Sequence, residues 1–312
     1  DGIRDQPRSR WLGDVYKRQI VDCSIGTPID APPKQVVEAL ANSDMERSYP
    51  PSIGTPAFRE AIASWSLNRF GCKIDPATEI AAAVGTKEFV AGLPHWMKLR
   101  DPNRDTVLYP AVSYPSYEMG ATLAGCRSVA VPVDENWSIQ LEAVSKEDRA
   151  RALLLWVNTP GNPAGGLDDL DAVANWGRTN QIPVFSDECY CEFTWDGSPR
   201  TILSSGTQGV VSVHSLSKRS NLAGLRAGFY VGDADIVDYL REVRKHAGFM
   251  VPGPAQAAAV AALSDQDHVE QQRETYWNRL NRLSNILSNM GVEAPLPRGC
   301  LLYTSPSPRD RG

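Results

Sequence analysis

The chain has 312 residues, 42% hydrophobic and 22% charged, with a formal net charge of −5. This is the balance of a soluble globular protein with room for a large core and two domains, and its acidity argues against a nucleic-acid partner. No run of 18 apolar residues and no apolar signal-peptide core occurs, and the six cysteines and four histidines follow no disulfide or zinc-ligand rhythm, so neither a membrane nor a metal is expected and a cytoplasmic location is.

Residues 1–19 carry five basic and three acidic residues without usable periodicity, and residues 300–312 end in a Ser/Pro/Arg tail. Both ends read as non-native read-through, with disordered tails as the alternative. Coherent patterning runs from Ile20 to Gly299, so the body is expected to be an internal piece of a longer protein. Its first clear helix has Thr55 as cap, Pro56 in the first turn, and Phe58, Ile62 and Trp65 as an apolar stripe. An apolar stretch over 80–84 then leads into Gly85-Thr86-Lys87, which opens another helix. Strands are expected over 106–109, 128–133, 152–157, 183–186, 210–213 and 229–231, with a helix over 167–179. Continuous apolar runs bounded by turn residues suit strands covered on both faces. Their alternation with helices predicts an α/β domain with a largely parallel sheet, whose ligands sit at the carboxyl ends of the strands. A long helix over 267–290, with Tyr276, Leu280, Leu283 and Leu287 on one side, is expected to begin a second domain.

Several polar segments follow those strands. Lys218, in Ser215-Leu216-Ser217-Lys218, comes just after the run 210–213, and Arg226 stands eight residues further on. Desolvation and a neighbouring cation both lower an amine's pKa and make it a nucleophile toward carbonyls. That is the chemistry of a lysine holding pyridoxal phosphate as a Schiff base. Gly85-Thr86-Lys87 can bind an anion on the N–H groups of a helix N-terminus, although a plain helix start explains it equally well. In Ser113-Tyr114-Pro115-Ser116-Tyr117 an aromatic ring can stack on a flat cofactor, and the alternative is a pair of turn tyrosines. Asn158 to Gly165 reads as turn chemistry. Asp187, after the strand over 183–186, can keep a pyridine nitrogen protonated or can cap a helix. No Gly-x-Gly-x-x-Gly or Walker loop appears.

In this order, Ser215-x-Ser217-Lys218-x7-Arg226 and the Asn162-Pro163-Ala164-Gly165 turn resemble class I/II pyridoxal-phosphate-dependent aminotransferases. The resemblance implies the fold type I transferase architecture, a largely parallel sheet sandwiched by helices, plus an incomplete small domain. It implies an N-terminal small-domain segment over 20–48, a large cofactor domain over 49–265, and the start of a truncated small domain over 266–299. Lys218 takes the cofactor lysine's role, with Asp187 at the pyridine nitrogen. Asn162 and Tyr190 fall at the ring oxygen, and Tyr114 on the ring face. Gly85, Thr86, Lys87, Ser215 and Arg226 fall at the phosphate. Tyr49 matches a tyrosine that reaches the phosphate of a neighbouring subunit, which implies a homodimer. Gly26 falls near the substrate carboxylate, where Asn162 also lies. The arginine that grips that carboxylate in the family is expected beyond Gly299.

Segments 21–28, 84–88, 213–218 and 244–252 resemble actinobacterial-type succinyldiaminopimelate transaminases most. Such an enzyme passes an amino group by ping-pong exchange between glutamate and an N-succinylated keto-diacid, with 2-oxoglutarate as the other product, in lysine and diaminopimelate biosynthesis. A carbon–sulfur lyase of the same fold shares every cofactor residue named. A non-catalytic, cofactor-sensing regulator domain is a further alternative.

Overall fold

The computed structural model describes residues 26–293 and 295–302. The readings made on residues 1–25 and 303–312, including most of segment 21–28 and most of both tails, lie outside the described residues.

Among the described residues seven strands form one sheet: β1 (Ile80–Ala83), β2 (Thr106–Pro110), β3 (Arg127–Val131), β4 (Ala152–Asn158), β5 (Val184–Asp187), β6 (Val210–Ser215) and β7 (Gly228–Gly232). Their spatial order is β1-β7-β6-β5-β4-β2-β3. Only β7 runs against its neighbours, pairing antiparallel with both β1 and β6. The helices are α1 (Lys34–Ala41), α2 (Pro56–Phe70), α3 (Thr86–Arg100), α4 (Ser116–Leu123), α5 (Lys146–Arg151), α6 (Leu170–Asn180), α7 (Leu216–Arg219), α8 (Ala234–His246), α9 (Gly253–Leu263) and α10 (Asp267–Asn289).

Helices cover both faces of the sheet. Side chains of α2, α6 and α9, among them Phe58, Ile62, Val173 and Ala258, pack on one face with Leu155 and Val157 of β4. Side chains of α3, α4 and α8, among them Phe89, Tyr117 and Leu240, pack on the other with Leu154 and Trp156. The alternation along β4 is the two-residue period of a strand, and burial on both faces is why the sequence there is apolar throughout. The expected fold class therefore holds.

Three local expectations are corrected. The helix expected from 167 begins at Leu170, because the Asp169 carboxylate caps it, accepting the N–H groups of Asp171 and Ala172 at 3.1 Å each. Asp168 turns the other way and accepts the Ile139 N–H and the Thr159 hydroxyl. The apolar stripe on α10 stops early: Tyr276 and Leu280 are buried, but Leu283 is 40% exposed. Packing also continues past Gly299. Cys300 is buried, its N–H donates to the Phe193 carbonyl at 3.0 Å, and its carbonyl accepts the Trp195 indole N–H at 2.7 Å.

Candidate active site

A cavity of about 320 Å³ opens at the carboxyl ends of β4, β5 and β6, beside the start of α3. A parallel sheet leaves its ligand crevice at that edge. Asp187 is the last residue of β5 and is 7% exposed. Its Oδ2 accepts the Tyr117 hydroxyl at 2.9 Å, and its Oδ1 accepts the Cys189 N–H at 3.2 Å. Burial raises the Asp187 pKa, and the hydrogen bonds from Cys189 and Tyr117 pull it back.

Ser215 ends β6, and its hydroxyl accepts the Ser217 N–H at 3.0 Å. That cap starts the single turn α7, which aims Lys218 into the cavity. The Lys218 amine donates to the Gly26 carbonyl. Burial lowers its pKa. The second cation expected to share in that lowering, Arg226, is not a source of it. Arg226 instead donates to the Ala223 carbonyl at 2.9 Å and lies against Gly85.

Gly85 has φ +70 and precedes the first turn of α3. The backbone angle favours glycine, and a Cβ there would lie 2.0 Å from Arg226 Nη2, so a side chain at this position would push the guanidinium aside. Thr86, Ser215, Ser217 and Arg226 all face the cavity beside that helix start. Two hydroxyl-rich turns, a guanidinium and helix N–H groups make a site for a dianion. Lys87 also reaches the cavity, with its amine 6.0 Å from the centre of the Tyr114 ring.

Asn162 and Tyr190 complete the wall. Asn162 is held by Asn158, whose Oδ1 accepts the Asn162 N–H at 2.7 Å while its Nδ2 donates to the Asp187 carbonyl at 2.8 Å. The cavity thus gathers Gly26, Thr86, Lys87, Tyr114, Asn162, Asp187, Tyr190, Ser215, Lys218 and Arg226, with Gly85 behind it. Tyr49 stands apart, 92% exposed and outside the cavity of its own chain.

Sequence reasoning missed Asn158 and undervalued Tyr117. Both belong to segments already singled out, and a buried partner for Asp187 was the signal. Tyr117 is a packing residue, stacked on Trp156 with ring centres 5.1 Å apart, and its hydroxyl also holds Asp187. Among the described residues no group of three His, Cys, Asp or Glu is placed to hold a metal ion.

The donor set fits pyridoxal phosphate. A dianion site and a buried carboxylate flank the space, an amine with lowered pKa enters it, and an aromatic ring and an amide line its walls.

The family model described as aminotransferase class I and II matches residues 18–309. The chain is 40% identical to the 4-dedimethylamino-4-oxo-anhydrotetracycline transaminase OxyQ of Streptomyces rimosus, over 96% of this chain and 84% of that protein. It is 34% identical to an LL-diaminopimelate aminotransferase of Dehalococcoides mccartyi, over 93% of this chain and 77% of that protein. Among solved structures, apo-BacF from Bacillus subtilis aligns with a TM-score of 0.83 at 28% identity, covering 89% of this chain and 76% of that one. An aminotransferase from Neisseria meningitidis aligns with a TM-score of 0.83 at 29% identity, covering 88% and 73%.

Proposed function

Because the chain belongs to the class I and II aminotransferases, a pyridoxal-phosphate-dependent family, we propose that it moves an amino group between glutamate and N-succinyl-2-amino-6-oxopimelate. The observation that carries the reading is the convergence of Lys218, Asp187, Asn162 and the Thr86–Arg226 anion site on one cavity. The succinylated acceptor rests on the resemblance over 84–88, 213–218 and 244–252. The similarity to a diaminopimelate aminotransferase supports a substrate of that carbon skeleton.

When bound, the cofactor supplies an electron sink for charge developing at the substrate α-carbon. Lys218 Nζ would hold the cofactor and, once freed, would take the proton from the α-carbon of the amino donor as base and deliver one to the corresponding carbon of the acceptor as acid. Burial serves this role, because an amine with lowered pKa is more readily free of its proton near neutral pH. Asp187 holds the proton of the ring nitrogen, and Tyr117 and Cys189 fix the carboxylate's direction. Asn162 and Tyr190 would donate to the ring oxygen, and Tyr114 would stack on the ring. Thr86, Ser215 and Arg226, with the Gly85 turn and Lys87, would hold the phosphate. Gly26 and Asn162 border the place of the substrate carboxylate. Tyr49 completes the phosphate site of a second copy in a cytoplasmic homodimer, and 49–265 forms the cofactor domain.

The test is 2-oxoglutarate release from glutamate by the cofactor-loaded protein, with N-succinyl-2-amino-6-oxopimelate compared against a panel of other keto acids. The succinylated acceptor should give the highest kcat/KM, and Lys218→Ala should lower turnover by at least about 10³-fold. A higher kcat/KM with another keto acid overturns the acceptor. Release of pyruvate and ammonia from cystathionine, with no amino transfer, would identify a carbon–sulfur lyase.

A further inference from the structure

Two segments singled out in the sequence, 84–88 and 244–248, meet behind the cofactor cavity through residues given no role above. Glu88, in the first turn of α3, reaches back so that its Oε1 accepts the Val84 N–H at 2.9 Å. Arg244, from α8, grips both carboxylate oxygens, Nη2 to Oε1 at 2.6 Å and Nη1 to Oε2 at 2.9 Å. The Arg244 side chain is 1% exposed. Its guanidinium lies 4.8 Å from the ring centres of both Trp96 and Phe249, with Phe89 at 5.2 Å and Tyr230 at 5.7 Å.

Stability alone is a poor reason for this arrangement. Arg244 Nε is buried without a hydrogen-bond partner. Burying a cation is costly, and a well-packed apolar pair in such a place is often no less stable. The pair does achieve one thing an apolar pair could not. Four rings fix the guanidinium, the two-pronged contact fixes the carboxylate, and the carboxylate fixes the Val84 N–H. Val84 immediately precedes Gly85, so this chain of contacts sets the direction of the turn that starts α3.

We propose that Glu88 and Arg244 are positioning residues for the phosphate-binding turn, acting through the Val84 N–H to set the preference for phosphorylated over unphosphorylated cofactor. The inference rests on the reading that the Gly85–Thr86 turn holds the phosphate.

The experiment measures equilibrium binding of pyridoxal phosphate and of pyridoxal to the parent protein and to Glu88→Ala, Glu88→Gln and Arg244→Lys. Glu88→Ala and Arg244→Lys should each weaken pyridoxal phosphate by about tenfold and leave pyridoxal within about twofold. Glu88→Gln keeps an oxygen for the Val84 N–H but sets an NH2 donor against the guanidinium, so its loss of pyridoxal phosphate binding should fall between none and that of Glu88→Ala, again with pyridoxal spared. Equal losses for both ligands, or no loss for either, overturn the positioning role. A parent protein that binds both ligands equally overturns the phosphate reading of the turn and this inference with it. Glu88 lies partly exposed on a helix, so its two variants decide the matter if Arg244→Lys does not fold.

Discussion

Glu188 directly follows Asp187 but lies outside the cofactor cavity, lining a small buried pocket with Trp65, Glu192, His214 and Arg219. Its Oε1 accepts the Ile202 N–H at 2.8 Å, and its Oε2, with no hydrogen-bond partner, lies 3.5 Å from His214 Nε2. Burial raises the Glu188 carboxyl to about 7 and lowers the His214 imidazole to about 3. A raised carboxyl contributes stability that is full below its unfolded value of 4.5 and is lost as the pH climbs through about 7. A lowered imidazole works in the opposite sense, with its contribution present above 6.5 and lost as the pH falls through about 3. Glu188→Gln should therefore raise the melting temperature more at pH 8 than at pH 5. Thermal melts at the two pH values check this, and an equal shift at both would contradict it. Lys218 and Asp187 were legible in the sequence because each follows an apolar strand in a recognisable motif. The Glu188–His214 pair was not, because it exists only through the parallel register that sets Asp187 beside Val213. Nor could the sequence show that burial, without help from Arg226, lowers the Lys218 amine.

Strands were more legible than helix ends. An apolar run flanked by turn residues marks a doubly covered strand within a residue or two, as in β2, β4 and β6. The start of α6 is hidden in the sequence because Asp168 and Asp169 both suit a helix entrance, and a tertiary contact of Asp168 decides between them. The buried stripe on α10 is shorter than the apolar one because periodicity shows which face is apolar and not how much of it finds a partner. Asp169→Ala removes both cap hydrogen bonds of α6 and should cost about 1 kcal/mol of stability. A urea midpoint unchanged from the parent would show that the cap contributes nothing.

At the scale of the molecule, Tyr49 is 92% exposed and lies outside the cavity of its own chain, which leaves it available for the shared site proposed above. The cofactor-loaded protein should sediment as a dimer, and Tyr49→Phe should weaken cofactor retention without altering that state. A monomer that binds the cofactor fully, with Tyr49→Phe indistinguishable from it, would remove the shared site. The strand order carries one more consequence. Among the described strands β1 comes first but lies at the edge of the sheet, and its sheet partner is β7, the last of them to be made: Ile80 pairs with Val231. Loop closure over such a separation is slow, and chains emerge from the ribosome in order. The Gly85 turn that follows β1 therefore waits, with no sheet neighbour, until β7 has left the ribosome. Ribosome-bound chains ending before Gly228 should fail to capture the cofactor, which makes loading a late event in the protein's synthesis.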